Sequence, residues 1–193
     1  ATKGLAVAGV IYGLCLLMIV PVARWATFSL GTPLGKSPYI SFRGYQWGSY
    51  NALILIVRYS FINWVRATPF NVLFYRLMGM SVGARTHINT AVVADCNLIS
   101  IGDDTVIGGD VTLIAHSIEG PNLVTAPVKI GSRVTVGLMS VVMPGCEIGD
   151  VFAESEFFIS FFAGFDEFGK FDGFNKCVCE FDGRYIGFWV HAF

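Results

Sequence analysis

One histidine in this chain stands where acid–base chemistry could be placed, at the start of a break in a regular sequence pattern. His116 opens the segment AHSIEGPNLVTAPVK, residues 115–129, which interrupts a run of six-residue units. An imidazole titrates near neutral pH, so it suits proton transfer to or from a hydroxyl or amine. Glu119 follows closely enough to orient the imidazole if the segment folds back. The alternative interpretation is that His116 only caps the edge of a structural repeat.

The six-residue pattern runs from residue 82 to residue 149. An aliphatic residue opens almost every unit, and a small or β-branched residue tends to follow four positions later. The opening residues are Val82, Ile88, Ile101, Ile107, Leu113, Ile130, Val136, Val142 and Ile148. This period predicts short parallel strands that stack, because no single turn of such an array can bury its own apolar face. Insertions in such arrays become loops on one face, so residues 115–129 are expected to form a loop that carries function.

These units resemble those of the hexapeptide-repeat acyltransferase superfamily. The resemblance implies a left-handed parallel β-helix, here of about three coils. The expected fold class is therefore mainly β, with one or two membrane helices before the β-helix and a short helix and hairpin after it, which are predicted below from hydropathy and residue spacing. The resemblance also implies a homotrimer that binds acyl-CoA between subunits. In this superfamily a histidine at the end of a coil, before an extruded loop, is the general base that deprotonates the acceptor, and His116 matches that position. Repeats of this kind also serve as inert scaffolds.

A narrower resemblance covers the residues ahead of the repeats. The segment from Trp47 to Thr90 resembles a membrane-bound subgroup that includes the C-terminal domain of poly-lysine-synthetase-type peptide synthetases. The matching residues are Trp47, Ser49, Thr68, Pro69, Phe70 and the run Tyr75-Arg76-Leu77-Met78-Gly79. The match continues through IGDDTVIGGDVTLIAHSIE, so it covers roughly half of the chain.

The superfamily resemblance also suggests where acyl-CoA would bind. The superfamily lays the pantetheine arm along the backbone after the loop, with small residues at the groove and basic residues near the phosphates. The corresponding residues are Lys129, Gly131, Arg133, Gly137 and Ser140. For the two basic side chains, a solvated turn position is the alternative interpretation.

The composition indicates contact with a membrane. Hydrophobic residues make up 54% of the chain and charged residues only 14%, a balance unusual for a soluble domain. The segment from Gly4 to Trp25 is nearly all apolar and predicts one membrane-spanning helix, with a cleaved signal peptide as the alternative. The segment from Trp47 to Val65 predicts a second membrane-associated helix, which either spans with Arg58 paired inside a bundle or lies at the interface. Flanking basic residues place the repeats on the cytoplasmic side or its organellar equivalent.

Two classes of ligand are not expected. The net charge of -1 and the lack of basic runs argue against nucleic acid. The three histidines, His87, His116 and His191, are too widely spaced to match the zinc ligands of β-helical carbonic anhydrases, so no metal site is predicted.

The end of the chain departs from the repeat. From Phe157 to Phe168 phenylalanines recur at spacings of three and four, which predicts an aromatic face on a helix. The pair Asp182-Gly183 between two β-prone runs predicts a hairpin. The chain is therefore divided into membrane-associated helices and linkers (residues 1–79), the repeats (residues 80–150) and a Phe-rich tail that could act as a docking element (residues 151–193).

Two functions are compatible with these features. The first is a membrane-anchored acyltransferase that moves an acyl group from acyl-CoA to a hydroxyl or amine acceptor, with His116 as general base. The second is a non-catalytic, acyltransferase-like structural subunit that lies at the membrane lipid and docks into a hetero-complex through the Phe-rich tail. His116 and its loop favour the first function. The few repeats after the loop and the aromatic tail favour the second, so enzymatic activity stays open at this point.

Overall fold

The computed structural model describes residues 2–26, 31–150, 157–159, 174–181 and 184–191. In these described ranges the α-helices are α1 (Thr2–Ala26), α2 (Phe42–Ser60) and α3 (Pro69–Leu77), which precede the parallel strands. A strand, β1 (Gly35–Pro38), precedes α2, and a short 3-10 helix (Ile62–Trp64) follows it. The start of α2 has a local cause, because the Ser41 hydroxyl accepts a hydrogen bond of 3.2 Å from the Gly44 N–H.

Three ladders of parallel strands follow α3. The first ladder contains β2 (Ser81–Val82), β4 (Ile99–Ile101), β9 (Val128–Ile130) and β12 (Glu147–Ile148). The second contains β3 (His87–Ile88), β5 (Val106–Ile107), β10 (Val134–Val136) and β13 (Phe157–Ile159). The third is the pair β6 (Thr112–Leu113) and β11 (Val141–Val142), which a bridge between Val93 and Leu113 extends. The ladders bring together residues about 20 to 30 positions apart in the chain.

The remaining strands are antiparallel. The segment that interrupts the six-residue pattern forms a hairpin, in which β7 (His116–Glu119) pairs with β8 (Asn122–Thr125) and β1 adds to the other edge of β8. A second antiparallel pair, β14 (Phe174–Phe181) and β15 (Arg184–His191), joins the second ladder through β13. The turn residues 182 and 183 lie outside the described residues.

Helices and ladders share one hydrophobic core. The helices contribute mainly large side chains to it: Leu17, Val20, Tyr50, Ile54, Val57, Phe74, Tyr75 and Met78. The ladders contribute aliphatic side chains, among them Ile88, Ile101, Ile107, Leu113, Ile130, Val136 and Val142. The helices approach closely, since a Cβ on Gly13 of α1 would overlap the ring of Phe61.

The expectation of a mainly β protein built on a left-handed parallel β-helix of about three coils is wrong. The structure is mixed α/β, with helices of 25, 19 and 9 residues and short strands distributed over several small sheets. A six-residue spacing identifies which strand side chains are buried, but it carries no information on helices that pack into the same core. Because Tyr50 and Phe74 are fully buried there, the helices are part of the fold and not appendages to it.

The tail also differs from the expected helix where the structure describes it. Residues 157–159 form β13, which runs parallel to β10. The rest of the expected aromatic helix, residues 160–168, lies outside the described residues. At the start of the tail, a strand that pairs with β10 therefore forms where the spacing predicted a helix.

One helix in the described part of the chain, α1, is long and apolar enough to cross a membrane. A buried core helix or a signal sequence has the same features, so length and composition do not separate these roles. The second expected membrane helix falls on α2 and the 3-10 helix after it. One face of α2 instead packs on the core through Tyr50, Ile54 and Val57.

Candidate functional site

His116 pairs with a buried carboxylate to which the sequence pattern had not pointed. The His116 Nδ1 is hydrogen-bonded to Oδ2 of Asp95. The Asp95 side chain is fully buried, whereas 21% of the His116 side chain is exposed. A neutral imidazole that donates from Nδ1 has its lone pair on Nε2. No hydrogen bond from the described part of the chain occupies Nε2, so the pair has the arrangement of an oriented general base.

The Asp95 carboxylate is surrounded by donors. Oδ1 accepts hydrogen bonds from the Thr32 hydroxyl at 2.6 Å and from the Asn51 side-chain amide at 2.8 Å. Oδ2 accepts from the Ala115 N–H at 3.3 Å in addition to His116. The Asp95 N–H donates in return to Oδ1 of Asn51 at 2.9 Å. Among the described residues, four donors and no acceptor are hydrogen-bonded to the carboxylate, so only its ionised form satisfies all of them.

The pKa of Asp95 follows from this balance. Burial by itself would raise the pKa of the carboxyl, because a charge in a low-dielectric interior is poorly solvated. The hydrogen bonds from His116, Thr32 and Asn51 outweigh burial and hold the pKa of Asp95 below its usual value. Asp95 is therefore a carboxylate at neutral pH and can stabilise a proton on His116.

Four separate segments position this group. Asp95 has a left-handed backbone (φ 57°) just before the 3-10 helix Cys96–Leu98, and aspartate is one of the residues that tolerate this conformation. Asn51 lies on the buried face of α2. Thr32 lies ahead of β1, and its backbone is held by the side-chain amide of Asn97. The Thr32 N–H donates to Oδ1 of Asn97 at 2.8 Å, and Nδ2 of Asn97 donates to the Thr32 carbonyl at 2.9 Å. His116 begins β7, immediately after the third ladder.

A pocket of about 460 Å³ opens beside His116. One face of α2 and the backbone stretches on either side of Asp95 and His116 form its walls. The lining residues are Trp47, Gly48, Asn51, Ala52, Leu55, Arg58, Val92, Val93, Ala94, Ile114 and His116. The volume is within the range of small-molecule sites, and apolar walls with a few polar groups are typical of them.

Trp47 contacts the imidazole ring of His116. Its ring meets the His116 ring edge to face, with centroids 4.9 Å apart and an angle of 71°. Tyr39 contacts the same indole edge to face at 5.7 Å. The indole Nε1 is buried without a hydrogen-bond partner in the described part of the chain. His116 is thus fixed by an aromatic contact and a hydrogen bond together.

The structure places Glu119 away from the imidazole. Glu119 is at the turn end of the β7–β8 hairpin, opposite Asn122, whereas His116 is at the other end, opposite Thr125. The Glu119 carboxylate forms an exposed ion pair with Lys36 at 3.6 Å. The carboxylate partner of His116 is therefore Asp95.

The residues expected to contact acyl-CoA fall on two corners of the parallel-strand region. Lys129, Gly131 and Arg133 lie where β9 leads into β10. The exposed Lys129 ammonium is 3.4 Å from Glu147, and Arg133 has a positive φ of 60° in a turn. Gly131 packs against backbone, since a Cβ there would be 2.6 Å from the backbone of residues 149–150.

The second corner, between β10 and β11, adjoins the strand that leads to His116. The Ser140 carbonyl accepts a hydrogen bond of 2.8 Å from the Thr112 N–H, and the Val142 carbonyl accepts one of 3.2 Å from Ile114. Gly137 and Ser140 are buried in this corner. The residues expected to bind the cofactor therefore fall into two groups. Only the second group, Gly137 and Ser140, borders the segment before His116.

Metal ligands do not gather in the described residues. No group of three or more His, Cys, Asp or Glu side chains there has the spacing to hold a metal ion. His87 lies in β3 of the second ladder, apart from the Asp95–His116 pair.

Sequence reasoning missed Asp95, Asn51 and Thr32. A signal for Asp95 was present, because the run ADCNLIS around it is a second irregularity in the six-residue pattern. Asn51 offered a weaker signal as a polar side chain in an apolar helix, one turn after Trp47 on the same face. Thr32 lies 63 positions from Asp95, and nothing in the local sequence indicated their contact.

Comparison with known proteins finds sequence similarity to two curated proteins. One is the delta-poly-L-ornithine synthetase of Acinetobacter baumannii (strain AB307-0294), 23% identical over 146 residues, which are 76% of this chain and 11% of that protein. The other is YvoF of Bacillus subtilis (strain 168), provisionally named an acetyltransferase, 31% identical over 105 residues, which are 51% of this chain and 61% of that protein.

This chain thus spans about a tenth of the first relative and three fifths of the second. No protein-family model matches the chain, and no solved structure matches it. The names of the two relatives suggest a transferase of some kind.

Proposed function

We propose that this protein is an acyltransferase that uses His116 as general base and Asp95 to hold the imidazole. The observation that carries the proposal is the Asp95–His116 hydrogen bond at the wall of a pocket. If Asp95 had only a structural role, its partner would not need to be a partly exposed imidazole at the wall of a pocket. The relatives named as a synthetase and an acetyltransferase support the same class of reaction.

The proposed reaction moves an acyl group from a thioester to a hydroxyl or amine. Nε2 of His116 takes the proton of the acceptor as its oxygen or nitrogen bonds to the thioester carbonyl carbon. The carbon–sulfur bond then breaks, and the imidazolium returns the proton to the leaving thiolate. Asp95 remains ionised and stabilises the imidazolium between these two steps.

Acyl-CoA is the proposed donor. Gly137 and Ser140 border the strand before His116, so the pantetheine arm would lie along that corner. Lys129 and Arg133 are exposed and basic, as phosphate partners would be. The thioester would then meet the acceptor at the His116 end of the pocket.

We further propose that α1 anchors the enzyme in a membrane, with the parallel-strand region on the cytoplasmic side. Only 22% of the residues from Val7 to Arg24 are buried, and large apolar side chains such as Ile11, Ile19 and Val22 are exposed. Lipid would cover this surface. Retention of the protein in the membrane fraction after a high-salt wash tests this part.

The oligomeric state stays a prediction. A homotrimer accompanies the catalytic hypothesis, and a hetero-complex docked through the Phe-rich tail accompanies the structural one. The mass of the detergent-solubilised complex distinguishes them.

Acyl transfer by the purified chain tests the main proposal. Thiol release from acetyl-CoA is measured with a panel of hydroxyl and amine acceptors, for the wild type and for His116→Ala. Loss of the base should lower kcat/KM by roughly 100- to 10,000-fold. The matched control is His87→Ala, which removes an exposed imidazole from the second ladder and should retain wild-type turnover.

Two results would contradict this assignment. Turnover that survives His116→Ala would reject His116 as the base. A wild-type protein that releases no thiol with any donor in the panel would favour the non-catalytic structural subunit.

A further inference from the structure

Arg58 is a cation that the proposed mechanism does not use. It lies near the end of α2, in a stretch otherwise rich in apolar residues, and it lines the pocket that contains His116. Its guanidinium lies 5.4 Å from the centre of the Tyr59 ring. No ion pair to Arg58 forms within the described part of the chain.

The pocket is electrostatically one-sided. Its described lining contains no acidic side chain. Asp95, which contacts the lining residues Asn51 and His116, is fully buried and already accepts four hydrogen bonds. The walls between the two polar ends are apolar, with Leu55 and Ile114 among them. An uncompensated guanidinium in such surroundings attracts an anionic group and can bind it through two parallel hydrogen bonds.

Helix geometry sets the distance between the ends of the pocket. Trp47, Asn51 and Arg58 follow one face of α2 at helical spacing. Asn51 contacts the Asp95–His116 pair, and Arg58 comes seven residues later, which is about 10 Å along the helix axis. The backbones of Asn51 and Arg58 are therefore about 10 Å apart along the helix, and the probes for the pocket are chosen on this scale of length.

We infer that the acceptor carries an anionic group, a carboxylate or a phosphate, which Arg58 binds while the acceptor's hydroxyl or amine lies at His116. The identification of this ligand as the acceptor rests on the proposed function. The anion site itself rests only on the pocket and its unpaired cation. Arg58 is then a specificity-determining residue. Its side chain touches the substrate but takes no part in proton transfer.

Matched probes test the anion site by direct binding. The probes are ω-aminooctanoate, ω-aminooctyl phosphate and ω-aminooctanol, which share a chain length and an amine and differ at the far end. Calorimetry with the full chain in detergent should show tighter binding of the two anionic probes than of the alcohol. The comparison of carboxylate with phosphate identifies which anion the site prefers.

Charge variants then assign the preference to Arg58. Arg58→Gln should weaken binding of the preferred anionic probe by roughly 10- to 100-fold and leave the alcohol unaffected. Arg58→Lys keeps the charge and should recover part of the loss. The matched control is Arg43→Gln, which removes an exposed cation from the first turn of the same helix and should preserve the preference.

The outcomes separate this inference from the proposed function. Equal binding of all three probes by the wild type, or an anion preference that persists in Arg58→Gln, would overturn the inference. His116-dependent turnover without any anion preference would leave the acyltransferase proposal standing alone. An Arg58-dependent preference in a protein without turnover would uphold the anion site and reject the catalytic role.

Discussion

Asp95 and Asp104 each pair with a basic side chain, but one pair is buried and the other is on the surface. The buried Asp95 carboxylate accepts hydrogen bonds from three other segments of the chain, through Thr32, Asn51 and the adjacent pair Ala115 and His116. Asp104 forms two hydrogen bonds of 2.6 Å with Arg85, and 39% of its side chain is exposed. This second pair belongs to a turn stack, which we define as Gly83–Arg85, Gly102–Asp104 and Gly131–Arg133.

The turn stack repeats one local conformation. Arg85, Asp104 and Arg133 have φ values of 54°, 54° and 60°. The glycine two residues before each of them packs directly on the next turn, as Gly102 does on the backbone of Gly131 and Ser132. In this region adjacent layers are equivalent, whereas the site around Asp95 occurs at the irregularities between layers.

The pKa values of both carboxyls are lowered, for different reasons. Hydrogen bonding to Arg85 holds the pKa of Asp104 below its usual value. For Asp95, burial raises the pKa and several donors together outweigh it. The difference teaches that a buried pair depends on every one of its partners, whereas water and salt can replace the partner of an exposed pair.

Of the changes that compare these two regions, Asp95→Asn is expected to have the largest effect. An amide in place of the carboxylate directs an NH₂ group at donors, so one or more of them loses its acceptor. We expect kcat/KM to fall by about 100-fold and the free energy of unfolding to fall by about 1–3 kcal/mol. Thiol release and chemical denaturation measure the two effects.

The separate values of kcat and KM distinguish positioning from general damage. If Asp95 holds the imidazole, Asp95→Asn should lower kcat and leave KM for the acyl donor close to the wild-type value. Asp104→Asn is the control and should leave both constants as in the wild type. A higher KM with an unchanged kcat would mean that Asp95 only shapes the pocket.

The next effect concerns the turn stack. A Cβ on Gly131 would lie 2.6 Å from the backbone of residues 149–150, whereas a Cβ on Gly149 meets no heavy atom within 4 Å. Gly131→Ala should lower the free energy of unfolding by about 1–3 kcal/mol, and Gly149→Ala should leave it close to that of the wild type. Equal midpoints of denaturation for the two variants would contradict the observed stacking.

The smallest effect is the response of the two carboxylates to acid and salt. A lowered pKa means that the ionised form adds stability above the unfolded-state value of about 4, and this stability is lost as the pH falls through the lower folded-state pKa. The stability difference between the wild type and Asp95→Asn should therefore shrink below about pH 4.

Salt separates the two regions in the same experiment. At about 0.5 M NaCl, where exposed charges are strongly screened, the difference between the wild type and Asp104→Asn should vanish. The difference for Asp95→Asn should persist, because the site excludes the solvent ions. A salt-sensitive Asp95 would show that the carboxylate is not closed off from water.

Prediction from sequence succeeded where structure depends on near neighbours. Ile101, Ile107 and Val136 were expected to be buried strand residues, and they are. His116 lines the pocket, and its expected role as the base stays a prediction. The overall architecture was not predicted correctly, since the spacing of strand residues does not report that α2 and α3 enter the same core.

The sequence by itself determined the stacked turns and the buried aliphatic positions, because each depends on side-chain size and backbone preference within a few residues. Only the tertiary structure decided the partners of His116. Asp95 is 21 positions away from it, and Asn51 and Thr32 are 44 and 63 positions from Asp95. Such contacts arise where irregular segments are packed together by the shared core, and no local preference specifies which donors will meet which carboxylate.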